Sequence, residues 1–278
     1  MRTTGSDTMP SIRRPAVAGR YPEAAFYPAD PAELRELVDA LLARARASLG
    51  APPRGASPKA LIAPHAGYQY SGPVAASAYA RIEPGGIRRV VLLGPAHRVP
   101  VRGLAAPAAD AFATPLGPVE LDAKALAGIA KLPQVRRSDP AHAPEHSLEV
   151  QLPFLQRVLG PFALVPLVVG DADPGEVDEV LESLWDGRET LVVVSSDLSH
   201  YLDYETARRL DAQTTRAIEA LAPEALDPER ACGCIPVQGL LLAARRHGLR
   251  ARTVDLRSSG DTAGGKDRVV GYGAYVLA

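Results

Sequence analysis

Cysteine is nearly absent: the chain has two in 278 residues, Cys232 and Cys234. Thiols so close together cannot staple distant segments, so a disulfide scaffold is excluded and the composition reads as cytoplasmic. Long apolar runs are missing too. None approaches the roughly 20 residues of a membrane span, and the stretch 1–10 lacks the apolar core of a signal peptide. Neither sign of charge dominates: 31 basic residues stand against 32 acidic ones. That balance argues against a nucleic-acid-coating or membrane-surface role. The signatures of serine hydrolases (GxSxG), P-loop and dinucleotide-binding proteins and HExxH metalloproteases do not occur.

What the chain does have is a set of short, almost uninterrupted apolar runs at 60–63, 90–94, 164–169 and 191–195. Such runs are the pattern of strands buried on both faces. A fifth, 269–276, alternates more and reads as an antiparallel or edge strand. Helices separate the runs. Asp30 is placed to cap one with Pro31 at its first position and Leu34, Leu37, Val38, Leu41 and Leu42 on one face. Asp173-Pro174-Gly175-Glu176 opens another, and a third is expected from Val237 to Arg246. Gly50 to Ala56 reads as a loop, and residues 1–12 as a disordered tail. The alternation predicts an α/β fold, one domain over residues 13–278. Its expected form is a layered α/β/α arrangement with a central, largely parallel or mixed sheet.

The histidines follow the strands. Leu61-Ile62-Ala63-Pro64 leads into His65, Val90-Val91-Leu92-Leu93-Gly94 into His97, and Leu191 to Ser196 into Asp197 and His200. Sheets of this class present ligands at the carboxyl edge of their strands. Three imidazoles delivered there read as a metal or acid–base site. Asp197 and His200, three residues apart, suit metal ligation or a base oriented by a carboxylate; alternatively, Asp197 caps the following helix. Glu145, His146 and Glu149 crowd a polar stretch before an apolar helix, which Ser147 or Glu145 could cap. Cys232 lies ahead of a helix N-terminus, a setting that favours thiolate. Cys234 reads as a small buried apolar residue, and His247 as an ordinary residue at a helix C-terminus.

Several segments, in order, resemble the Memo family, whose bacterial and archaeal members carry the label AmmeMemoRadiSam system protein B. They are PAVAGRY from Pro15, LIAPHAGYQYSG from Leu61, GPAH from Gly94, EHSLEVQLPFLQ from Glu145, SSDLSHY from Ser195, Cys232-Gly233 with Pro236, SGD from Ser259 and VVGYGA from Val269. The resemblance implies a fold related to the class III extradiol, LigB-type dioxygenases, which hold non-haem Fe(II) with two histidines and a carboxylate. It implies His65 and His97 as metal ligands and Cys232 in the third position, where those dioxygenases have Glu. It puts His200 in the acid–base role and Asp197 beside the metal. Around them, His146, Glu145, Cys234 and Tyr68 are candidates for supporting or substrate-facing positions. Cys234 stands in a stretch where relatives often have His or Arg, and it could join the metal or pair with Cys232.

Thiolate in place of carboxylate moves the metal preference toward Cu(I), Zn(II) or a differently tuned iron. Ring cleavage is therefore not carried over with the fold. The expectation is a divalent or redox metal, Fe(II) foremost with copper or zinc as alternatives, in a redox enzyme acting on a small molecule. The family label implies a radical SAM enzyme and an AMMECR-type protein as partners. A non-catalytic metal- or phosphopeptide-binding protein and a zinc metallohydrolase are the competing readings.

Overall fold

The computed structural model describes residues 11–19, 21, 23–50, 57–83 and 85–278. The four apolar runs are the strands Ala60–Ala63, Arg89–Pro95, Ala163–Val169 and Thr190–Ser195. They form the parallel centre of a nine-stranded sheet, in the spatial order Ala60–Ala63, Thr190–Ser195, Arg89–Pro95, Ala163–Val169. Successive side chains of a strand point to opposite faces. Leu61, Val90, Leu92, Leu191 and Val193 accordingly pack with the helices Pro31–Leu49, Tyr68–Tyr79 and Leu152–Leu159. Their neighbours Ile62, Val91, Leu93, Val192 and Val194 pack on the other side with Pro174–Leu184 and Cys234–Arg246. Burial on both faces is what made these runs continuous rather than alternating.

Asp30 caps the first long helix as expected, accepting from the backbone N–H groups of Ala32 and Glu33 at 2.8 and 2.9 Å. The strand Val269–Leu277 is antiparallel to Ala60–Ala63, as expected, yet it is not an edge. Ala251–Ser258, a strand the sequence pattern did not reveal, pairs along it. The helix expected from Val237 starts earlier, at Cys234, with Pro236 in its first turn, where the missing proline N–H costs nothing. Residues 1–10 of the expected tail and residues 51–56 of the expected loop lie outside the described residues. Ser11 and Ile12 fall inside the range expected to be disordered, and both are held in place. The Ser11 N–H donates to Asp110 Oδ2 at 2.8 Å, and Ile12 pairs with Ala111. Among the described residues no helix is long and apolar enough to cross a membrane.

Two contacts place the loops that carry the site. Gly94 lies against Ser147 and Leu148: a Cβ there would meet Ser147 Oγ at 2.7 Å. Asp211, on the helix Tyr204–Glu219, accepts the N–H of Ser199 at 3.0 Å and so holds the loop just before His200. Burial pushes the Asp211 carboxyl up to about 6, with the Ser199 hydrogen bond opposing.

Gly94→Ala should lower stability by about 1–3 kcal/mol through overpacking, read as a lower urea midpoint with an unchanged slope. The Asp211 carboxyl is raised in the folded state, so its contribution to stability is full below pH ~4 and is lost as pH rises through about 6. Asp211→Asn keeps an acceptor for Ser199 and has no such loss. Relative to the parent, the variant should gain up to about 3 kcal/mol between pH 4 and 7 in urea titrations. A constant difference across that range would contradict the assignment.

Candidate metal centre

The strands Ala60–Ala63, Arg89–Pro95 and Thr190–Ser195 end side by side, and each releases its chain into the same space. Ala63 pairs with Ser195, so His65 and Asp197 leave the sheet together. The His65 N–H donates to Asp197 Oδ1 at 2.7 Å. His97 follows Arg89–Pro95, and the segment ahead of Glu149–Gln151 brings in Glu145 and His146. His65, His97 and His146 each offer a ring nitrogen, and the three nitrogens lie within 4.8 Å of one another.

Hydrogen bonds fix which nitrogen is available on two of the rings. Ser195 Oγ donates to the carbonyl of Ser147 at 2.6 Å and accepts from Gln151 Nε2 at 2.7 Å. The Gln151 amide is itself oriented: Nε2 donates to the Pro64 carbonyl and Oε1 accepts from Tyr79 Oη. A hydroxyl has one proton, and that of Ser195 is already committed. His65 Nδ1, 2.8 Å from Ser195 Oγ, must therefore be the donor, which leaves the Nε2 lone pair bare. His97 reaches the same state by another route. Its Nδ1 lies 2.9 Å from Glu145 Oε1, and its N–H donates to Oε2 at 2.7 Å. The N–H groups of His146 and Ser147 also donate to this carboxylate. Burial opposes the charge on Glu145, but these hydrogen bonds, led by that from the His97 ring, hold its carboxyl well below the usual range. An imidazole whose far nitrogen donates to a carboxylate or hydroxyl is the arrangement of a metal ligand.

Burial, reinforced by the neighbouring rings of His146 and His97, holds His65 well below its ordinary value. Burial also lowers His146 to about 4, with Glu145 opposing. Both are neutral at pH 7, the form that binds metals. Cys232 Sγ sits 3.4 Å from His65 Nε2 and accepts the Asp197 N–H at 3.3 Å. Burial, then the Asp197 carboxylate, push the Cys232 thiol up to about 12. Metal–nitrogen bonds of ~2.1 Å and metal–sulfur bonds of ~2.3 Å would place neighbouring ligand atoms about 3.1–3.6 Å apart. The His65–Cys232 spacing already falls on that edge. Burial raises the Asp197 carboxyl to about 7, against the hydrogen bond from His65.

Two cavities meet here. One of about 360 Å³ is lined by His65, His97, His146, Asp197 and His200, with Phe26 and Tyr201 at its sides. The other, about 440 Å³, is largely apolar and borders Cys232. His97 and Arg98 line both. His200 lies in the short strand His200–Leu202 and faces the first cavity; burial lowers its pKa, with a backbone hydrogen bond at Leu198 opposing.

Other candidates sit elsewhere. Tyr68 is turned into the core by the helix it begins, and its hydroxyl donates to the Val150 carbonyl at 2.6 Å, so it does not face substrate. Cys234 is buried among the apolar side chains of the second core; both cysteines are free thiols. His142 is buried against the Ala105 carbonyl, and His247 stacks on Trp185 at the end of its helix. Ser195 and Gln151, which orient His65, escaped sequence reasoning; a serine ending an apolar strand and a glutamine in a helical turn carry no pattern of their own.

Ser195→Ala removes the acceptor that fixes the His65 tautomer. Its affinity for a transition metal, measured by chelator competition, should fall about 10–100-fold with the fold intact. An unchanged affinity would remove Ser195 from the site.

The model of the Memo-like protein family matches residues 13–276. A "MEMO1 family protein" of Aquifex aeolicus is 38% identical over 272 residues, covering 94% of this chain and 97% of that protein. One from Methanopyrus kandleri is 37% identical, covering 95% and 98%. Among solved structures, an uncharacterized protein of Escherichia coli K12 aligns with TM-score 0.45 and 14% identity over 78% of this chain and 98% of that one. With a family match over almost its whole length and relatives of this similarity, the chain belongs to the Memo-like family.

Proposed function

We propose that His65, His97 and His146, joined by the Cys232 thiolate, hold a transition metal, iron foremost and copper next, and that the protein is an oxidoreductase acting on a small molecule. One observation carries this reading. His65 and His97 have their Nδ1 atoms tied to Ser195 and Glu145, so both Nε2 lone pairs are left to one shared space. An imidazole and thiolate donor set suits iron, copper or zinc rather than magnesium or calcium. Bound there, iron or copper would supply one-electron chemistry and open ligand positions.

The protein's own groups then have separate tasks. Ser195 and Glu145 hold the ligand imidazoles in one tautomer and pointed inward. Asp197 fixes the His65 backbone and borders the thiol through its N–H. His200, on the cavity wall, moves protons to and from the substrate. The proposed setting is cytoplasmic. Cooperation with a radical SAM enzyme and an AMMECR-type protein belongs to the same proposal and rests on the family resemblance alone.

The protein purified without oxygen and offered Fe(II), Cu(I) or Zn(II) should retain one iron or copper per chain by elemental analysis and lose it in His65→Ala. Neutral imidazoles release no proton on binding, whereas a ligating thiol must. Calorimetry in buffers of different ionisation enthalpy should therefore count about one proton fewer per ion in Cys232→Ser than in the parent. Retention of zinc alone would overturn the redox reading in favour of a hydrolase. His200→Ala should keep the metal.

A further inference from the structure

Two of the three imidazoles are oriented by hydrogen bonds, and the third is not. His146 Nδ1 is buried without a hydrogen-bond partner; Glu145 Oε1 lies 3.4 Å away, outside hydrogen-bond alignment. What holds the ring is other rings. It stacks on His97 at 4.8 Å and 21° and meets His65 edge-on at 5.5 Å. From a different part of the chain, the ring of Phe26 packs on it at 4.8 Å and 48°.

Phe26 is itself tightly held. Its N–H donates to the Val17 carbonyl at 3.0 Å, and its carbonyl accepts from Tyr68 at 2.8 Å. The next residue, Tyr27, donates its hydroxyl to Glu149 Oε1 at 2.6 Å. Ala16 and Val17 donate their N–H groups to the same carboxylate at 2.6 and 3.0 Å, and Arg13 reaches it at 2.5 Å. Arg13, Ala16, Val17 and Tyr27 are thus gathered on one buried residue, three positions along from His146. Phe26 also lines the cavity over the imidazoles.

We propose that Phe26 is the positioning residue of His146. The N-terminal segment supplies by ring packing the orientation that Ser195 and Glu145 supply to the other two imidazoles by hydrogen bonding. The inference rests on the reading of His146 as a metal ligand, and its test separates the two. In the metal-free protein, the His146 ring carbons should give one narrow set of NMR signals. Phe26→Ala should broaden or split them and leave those of His65 in place. With Co(II) as the probe, the visible spectrum of Phe26→Ala should match that of His146→Ala, and Co(II) affinity should fall about 10–100-fold. Phe26→Tyr should restore both readouts.

Should Phe26→Ala not fold, Phe26→Leu keeps the apolar bulk without a flat ring and should show the same changes in weaker form. The proposal is overturned if the His146 signals stay as in the parent, or if the Co(II) spectrum of Phe26→Ala stays parental while that of His146→Ala changes. A parent protein that takes up no Co(II) overturns the metal reading alone, and the ring signals then decide the positioning role.

Discussion

A carboxylate with no accessible surface stays ionised only when donors surround it. Glu149 is in that position, and it is met by the Arg13 guanidinium, two backbone N–H groups and the Tyr27 hydroxyl. Every one of those donors comes from the N-terminal segment. Arg13 has further N–H groups, which donate to the carbonyls of His142 and Glu145. One buried charge thereby ties the start of the chain to the segment bearing Glu145 and His146. Removing either partner of such a pair typically costs about 3–5 kcal/mol, because the other is left buried and alone. The arrangement of the imidazoles depends on this tie.

Within the site, polar side chains act mainly on one another. Glu145 orients His97, and Ser195 orients His65 under the control of Gln151 and Tyr79. Among the described residues, no cation beside the Cys232 thiol favours its ionisation. Burial and Asp197 keep it protonated, so the metal itself is what would draw off its proton. A site of this kind is prepared in geometry before it is prepared in charge.

Much of this was visible in the residues. Continuous apolar runs identified the four central strands, and the carboxyl-edge rule then brought His65, His97, Asp197 and His200 together. Pairing partners were harder to see. Ala251–Ser258 reads weakly because its side chains are half-buried in irregular order. The strands Ile12–Arg13, Ala18–Gly19 and Tyr27–Pro28 are two residues each, too short to show a period, and side-chain hydrogen bonds to Glu149 hold much of the rest. Tyr68 follows His65 closely enough to suggest a shared role, but the helix begins there and rotates it into the core. Glu149 carried only the spacing of a helical turn; its importance comes from Arg13, 136 positions away.

His65 and Cys232 are separated by 167 positions, with His97, His146 and Asp197 between them. The interval holds three of the four strands of the parallel centre, whose long-range pairings make for slow folding. A chain emerging from synthesis has made every imidazole of the centre well before the thiol and the helix Cys234–Arg246 behind it appear. The full set of candidate donors exists only once the chain has passed position 232, so the site draws on most of the length of the fold.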